Sequence, residues 1–229
     1  MGLDSTKDKI LADIKTSKDF IGKKLYDQAL DQLIAALQSC LADTNKDVLA
    51  NILDLIGSIC DKTNTTLDLT LDNIKSLLDH PDDWVRLESL LILKKVYPLR
   101  IKKFETLIEK IEAKLYDPDK KVRENAVLFI ALILLKDSAS SAYLFSSFLR
   151  MFEDESWIVR ARSLEGALNF LKNHLITTPN LIEPFQKYFI KLIEDPDEEV
   201  RGLATEALNF LFDQLLNQCL LMMNLQYLI

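Results

Sequence analysis

The sequence predicts an all-α fold, an α-solenoid of about five helical hairpins preceded by one N-terminal capping helix. Three observations carry that prediction. A turn phrase recurs down the chain, clearest as Asp117-Pro118-Asp119-Lys120-Lys121-Val122-Arg123 and Asp195-Pro196-Asp197-Glu198-Glu199-Val200-Arg201. Looser copies are His80-Pro81-Asp82-Asp83-Trp84-Val85-Arg86 and Asp154-Glu155-Ser156-Trp157-Ile158-Val159-Arg160, and a degenerate one is Asp43-Thr44-Asn45-Lys46-Asp47-Val48-Leu49. The valines stand at 48, 85, 122, 159 and 200, so the intervals are 37, 37, 37 and 41. A period of this size, in units too small to bury their own apolar face, signals stacked repeats. Finally, columns aligned on the valine agree. Four positions on stand Ile52, Ser89, Ala126, Ser163 and Ala204, mostly small, and eleven on stand Ile59, Val96, Ile133, Phe170 and Leu211, all apolar.

Taken in chain order, residues 1–22 form an amphipathic helix (Ile10, Leu11, Ile14, Phe20, Ile21) that covers the open face of the first unit. The units that follow are approximately 25–62, 67–98, 102–137, 140–175 and 181–215, in a single domain spanning 1–229. In the third unit a first helix is expected from Lys103 to Tyr116, because Phe104, Leu107, Ile108, Ile111 and Leu115 recur in steps that define one helical face. Asp117 and Pro118 end it. Asp117 is suited to cap the next helix and Pro118 to be its first residue, where no hydrogen bond is lost. The second helix is expected from about Lys121 to Leu135. The longer last interval falls at 173–184, where Thr177-Thr178-Pro179-Asn180 reads as a longer loop.

These residues resemble the HEAT-repeat family over about 25–215. The turn phrase matches well in the third and fifth units, less closely in the second and fourth, and poorly in the first, where Leu49 replaces Arg. The resemblance implies a ladder in which Asp117, Asp154 and Asp195 meet Arg86, Arg123, Arg160 and Arg201 along the stack. It also implies binding on the concave surface lined by the second helices. Fold alone does not name the partner.

Composition narrows the function. The chain carries 28 basic against 35 acidic residues, a net charge of −7. Binding to phosphate backbones draws on basic faces, so this balance argues against nucleic acid, despite a local cluster of Lys94, Lys95, Arg100, Lys102 and Lys103. Cys40, Cys60 and Cys219 form no CxxC pair and read as small core residues of a reducing compartment, which places the chain in the cytoplasm. The N-terminus shows no secretory pattern, and Gly2 with Thr6 matches a myristoylation pattern only loosely. No apolar run is long enough to span a bilayer.

No constellation for catalysis, no metal set and no cofactor motif is found. His80 and His174 are the only histidines, too few for the metal site of HEAT-like deoxyhypusine hydroxylases or for a supported serine triad. His80 replaces the turn Asp and reads as a cap. The enzymatic alternative is a nucleic-acid-acting enzyme of the HEAT-like DNA glycosylase type, with Trp84 and Trp157 as its aromatics. Their matching places beside the repeat valine favour packing between hairpins instead.

The sequence therefore predicts a non-enzymatic scaffold or adaptor that binds a protein partner of unknown identity through its second helices. Residues 126–135 are ten consecutive apolar residues. Either this helix is buried all round, or Leu128 and Leu132 line an exposed groove at positions that are polar in other copies (Asp54, Glu165, Glu206). Arg162, Glu165, Glu206 and Asn209, with Glu88 and Asn125, are the remaining candidate contacts. After Asp213 the chain carries no charge, so 215–229 is expected to fold back as a cap, to mediate self-association, or to be a cut through a longer protein.

Overall fold

Helix-favouring composition and the periodic apolar columns become, among the described residues, eleven α-helices and no strand. The computed structural model describes residues 2–40, 46–60, 62, 67–99, 104, 106–136, 138–174 and 182–226, with side chains excepted at 2–7, 46, 67–70, 99, 138–143, 174, 182, 215 and 217–226. The helices are α1 (Gly2–Gly22), α2 (Tyr26–Cys40), α3 (Lys46–Ile59), α4 (Leu67–Leu77), α5 (Asp83–Val96), α6 (Ile108–Ala113), α7 (Lys120–Lys136), α8 (Ser138–Arg150), α9 (Trp157–His174), α10 (Ile182–Leu192) and α11 (Glu198–Gln226). Packing divides the chain into two compact units, Met1–Asn125 and Ala126–Ile229, with the boundary inside α7.

In the first unit α1 lies on α2 and α3, burying Ile10 and Ile14. The hairpin α2–α3 then stacks on α4–α5, first helix on first helix and second on second. That like-on-like stacking is the connectivity of a solenoid. In the second unit α9 contacts both α10 and α11, and α10 closes on α11. An aromatic cluster fills this core: Phe145 and Phe148 of α8 meet the ring of Phe185 from α10 edge-on, at 5.1 and 6.4 Å. Phe152 stacks on Tyr188 at 5.2 Å. Such ring pairs add about 0.5–1.5 kcal/mol each beyond their buried area.

The aligned columns are core positions. Val85, Val122, Val159 and Val200 are buried, as are all five residues four positions on and all five eleven positions on. Two members of the four-on column are serines, and their hydroxyls donate back to the valine carbonyls: Ser89 to Val85 at 2.7 Å and Ser163 to Val159 at 2.9 Å. Burial is tolerated because each hydroxyl is satisfied.

The turn phrase works differently from expectation in one respect. The cap of α7 is Asp119, not Asp117: its Oδ1 accepts from the amides of Lys121 at 2.8 Å and Val122 at 3.1 Å. Asp82 and Asp197 do the same for α5 and α11. Pro118 therefore lies before the helix rather than at its first position. Asp117 is committed elsewhere, accepting the Asp119 N–H at 3.0 Å to tighten the turn. His80 fills that same turn role, with Nδ1 accepting the Asp82 N–H at 3.1 Å. The first helix of the third unit also begins later than expected, at Ile108, although Phe104, Leu107, Ile111 and Leu115 are buried as the period required. Residues 100–103, the loop at 177–180 and the start of the degenerate phrase at 43–45 lie outside the described residues.

Within each unit one rung of the Arg–Asp ladder is complete. Arg86 grips Asp117 with a two-pronged fork, Nε to Oδ2 at 2.8 Å and Nη2 to Oδ1 at 2.7 Å. Arg160 grips Asp195 in the same way, at 2.7 and 2.8 Å. The remaining nitrogen of each fork, Nη1, donates to two carbonyls of its own turn, His80 and Pro81 for Arg86, and Asp154 and Glu155 for Arg160. Arg123 and Arg201 close their own turns in that manner.

Burial by itself would raise the Asp117 and Asp195 carboxyls, but the Arg forks and the turn amides outweigh it and hold both below the ordinary value. A depressed carboxyl contributes stability above its unfolded pKa and loses it as pH falls through the folded one. Stability should therefore decline from about pH 4 downward. Asp117→Asn should flatten that decline while lowering stability at neutral pH. Asp117→Ala, which strands the buried guanidinium of Arg86, should cost about 3–5 kcal/mol. Urea denaturation across pH measures both effects.

Candidate interaction surface

Once the valine, four-on and eleven-on positions are spent on the core, the second helices α3, α5, α7, α9 and α11 retain a free row at three, six and ten residues past the valine. Helical geometry puts such positions on one face. The candidate residues fall on or beside this row. Leu128, Leu132, Arg162 and Glu165 are half-buried, and Glu206 and Asn209 are exposed.

In the first unit, α3 and α5 leave a groove of about 300 Å³ between them. Its lining includes Asp54 and Gly57 of α3 with Glu88, Leu91, Ile92 and Lys95 of α5. Burial, then the nearby charge of Asp54, pushes the Glu88 carboxyl up. Lys95 Nζ donates to the Gly57 carbonyl at 2.6 Å. Its neighbour Lys94 turns the other way, toward Asn125 Oδ1 at 3.3 Å, and burial pulls its ammonium down against the opposing charge of Glu124. The basic cluster read from the sequence is thus divided at this point, and Arg100, Lys102 and Lys103 lie outside the described residues. A second, smaller cavity of about 260 Å³ lies at the start of α2, where Lys62 Nζ sits 5.4 Å from the Tyr26 ring centre.

In the second unit the row changes chemistry. Val127, Phe129, Ile130, Ile133 and Leu134 of α7 are buried, whereas Leu128, Ala131, Leu132 and Leu135 are only half-buried. Those four stand at spacings of three and four, so they form one stripe. The all-apolar helix is therefore not buried all round; its outer stripe is itself apolar. On α9, Arg162 Nη1 pairs with Glu165 Oε1 at 2.6 Å, and Lys172 reaches Glu206 of α11 at 3.6 Å. These surface pairs hold the side chains in place more than they stabilise the fold. Gly166 lets α9 approach α7 closely: a Cβ there would stand 2.7 Å from that of Ala131.

Trp84 is half-buried, but Trp157 is 41% exposed, less packed than its place in the repeat suggested. The uncharged tail does not fold back. It continues α11 into one helix of 29 residues, with no Gly or Pro after Gly202 to break it. Phe212 and Leu216 are exposed on this helix and Gln214 is half-buried, while the side chains of 215 and 217–226 and residues 227–229 lie outside the described residues. Among the described residues no helix is long and apolar enough to cross a membrane.

Sequence reasoning did not single out Asp54, Gly57 and Lys95 as one site. The signal was available, since six past one valine and three past the next bring Asp54 and Glu88 together across the groove.

Hairpins stacked like on like, with a free row along the second helices, define a HEAT- or armadillo-type repeat scaffold. Solved structures agree on the fold. A designed armadillo repeat protein in complex with the peptide (KR)4 superposes with a TM-score of 0.63 at 19% identity, covering 90% of each chain. A computationally designed armadillo repeat protein for modular peptide recognition gives 0.58 at 19% identity, covering 81% of this chain and 85% of that one. Cex1p gives 0.64 at 15% identity, over 94% of this chain and 45% of its own. No curated protein sequence matches the chain. Residues 105–222, just over half of the 229, match the model of the family described as sister chromatid cohesion protein PDS5, and the chain belongs to that family.

The two glycines of α9 and α11 provide a test of the close approach. Gly166→Ala forces the α7–α9 contact apart and should destabilise by about 1–3 kcal/mol, as overpacking does. Gly202→Ala, with nothing within 4 Å, should stabilise by about 0.5–1 kcal/mol through helix propensity. Thermal melts of both variants measure the contrast.

Proposed function

We propose that this protein is a non-enzymatic interaction scaffold that holds an extended segment of a protein partner against the row of its second helices. The observation that carries the reading is the half-buried apolar stripe of Leu128, Ala131, Leu132 and Leu135 on α7. Apolar side chains left only half-buried in register along a helix, with Glu165 and Glu206 at the place of Leu128 and Lys172 and Asp213 at that of Leu135 on α9 and α11, mark a surface that gains from being covered. The peptide-binding armadillo proteins it resembles support a chain segment as the ligand. The family description adds a setting, sister chromatid cohesion, which points to chromosomes rather than to the cytoplasmic location expected from the sequence. The net charge of −7 favours protein over nucleic acid as the direct ligand in either place.

A photo-crosslinking amino acid in place of Leu132 should capture a partner polypeptide in cells. The same group in place of Lys187, exposed on α10, should not. Leu128→Asp should keep the helical circular dichroism and a cooperative melt while abolishing the Leu132 crosslink. Equal crosslinking from both positions, or an unfolded Leu128→Asp protein, would remove α7 from the interface.

A further inference from the structure

The groove between α3 and α5 has a chemistry of its own. Asp54 and Glu88 face it, and neither has a cationic partner among the described residues. Several other surface carboxylates do have one: Asp79 with Lys110 and Lys114, Glu153 with Lys191, Glu165 with Arg162 and Glu206 with Lys172. Lys95 does not serve the pair. It stands seven residues beyond Glu88 on α5, about 10 Å along the axis, and its ammonium is bound to the Gly57 carbonyl. The groove thus has carboxylates toward one end and the ammonium of Lys95 toward the other. Leu91 and Ile92 provide an apolar wall between the two.

Glu88 is half-buried and Asp54 exposed; like charges facing one groove work against folding, and a cation entering between them reverses the sign of that contribution. A cavity of about 300 Å³ is at the small end of ligand sites and admits one long side chain rather than a cofactor. A bare divalent ion fits poorly, since calcium takes six to eight oxygen ligands and the lining offers two carboxylates beside an ammonium and the aliphatic Leu91 and Ile92. A lysine or arginine fits each part: methylenes against Leu91 and Ile92, charged head between the carboxylates. Lys95 then repels the head from the far end and fixes it at Asp54 and Glu88.

We propose that the α3–α5 groove is a docking site for a single lysine or arginine side chain of an extended protein segment, its cationic head received by Asp54 and Glu88. This rests on the scaffold reading and assigns a partner chemistry to a part of the row distinct from α7.

The test uses the full chain and a fluorescently labelled Lys-Arg repeat octapeptide, followed by anisotropy at low salt. Asp54→Asn/Glu88→Gln should weaken binding at least tenfold. Asp31→Asn/Asp72→Asn, which removes the same charge from exposed positions on α2 and α4, should weaken it less than threefold. Acetylating the peptide's lysines and replacing arginine by citrulline should abolish binding. The groove variant should also melt at the same or a higher temperature than the parent, since it relieves repulsion; a pair kept for the fold would melt lower. Equal losses for the two double variants, a lower melting temperature for the groove variant, or a groove-specific shift of the Gly57 amide by micromolar calcium alone would overturn the proposal. The scaffold reading fails separately. If Leu132 crosslinks a partner while the peptide ignores Asp54 and Glu88, only the groove assignment falls; a groove-dependent peptide with no Leu132 crosslink removes α7 instead.

Discussion

In one turn phrase of each unit a single guanidinium bonds in two directions. Nη1 of Arg86 reaches back to the carbonyls of its own turn, while Nε and Nη2 reach forward to the carboxylate of the next. Arg160 repeats the arrangement with Asp195. The shape of a turn and its offset from the next are therefore set by the same planar group. Lysine could not replace it, because a point charge has neither the second prong nor the fixed angle between prongs. The Arg86 and Asp117 side chains retain only 9% and 3% of their exposure. At that depth a well-packed apolar pair would stabilise as much, but it would not fix the register.

Everything else in the repeat follows from that register. With turns held at a set offset, the residues four and eleven positions past the valine can be small or bulky as the neighbouring helix requires, and all of them are buried with four of the five valines. Polar atoms within this interior are satisfied locally, as the Ser89 and Ser163 hydroxyls are by carbonyls of their own helices. The free row beyond them has no part in closing the core. Its side chains can diverge from repeat to repeat at little expense in stability, and they do: six past the valine stand Asp54, Leu91, Leu128, Glu165 and Glu206.

This division explains how much was legible in the sequence. The buried columns were readable because five copies vote on each position and only burial makes Ile59, Val96, Ile133, Phe170 and Leu211 agree. The cap was misplaced because the phrase offers two acids two residues apart, and only the forked contact from Arg86 shows which one is already occupied. The state of α7 was open for a different reason. Ten apolar residues look the same whether or not a neighbour covers them, and full burial of one side with half-burial of the stripe at Leu128 and Leu132 is a property of packing, not of composition. Asp54 and Glu88 are 34 residues apart, and each alone looks like an ordinary solvated acid. Their meeting depends on the diagonal by which one second helix lies against the next.

A repeated surface carries a hazard that its variation removes. If every unit displayed the same residues, a bound segment could shift by one repeat and lose nothing. Within the first unit a basic side chain shifted in this way would leave Asp54 and find Leu91 at the equivalent position. Within the second, an apolar side chain leaving Leu128 would meet the paired charges of Arg162 and Glu165. Each wrong register strands a charge on an aliphatic wall or a methyl group on an ion pair, and specificity arises from such mismatches as much as from the correct contacts. The residues that repeat hold the stack in one register, and the residues that differ can hold a partner in one.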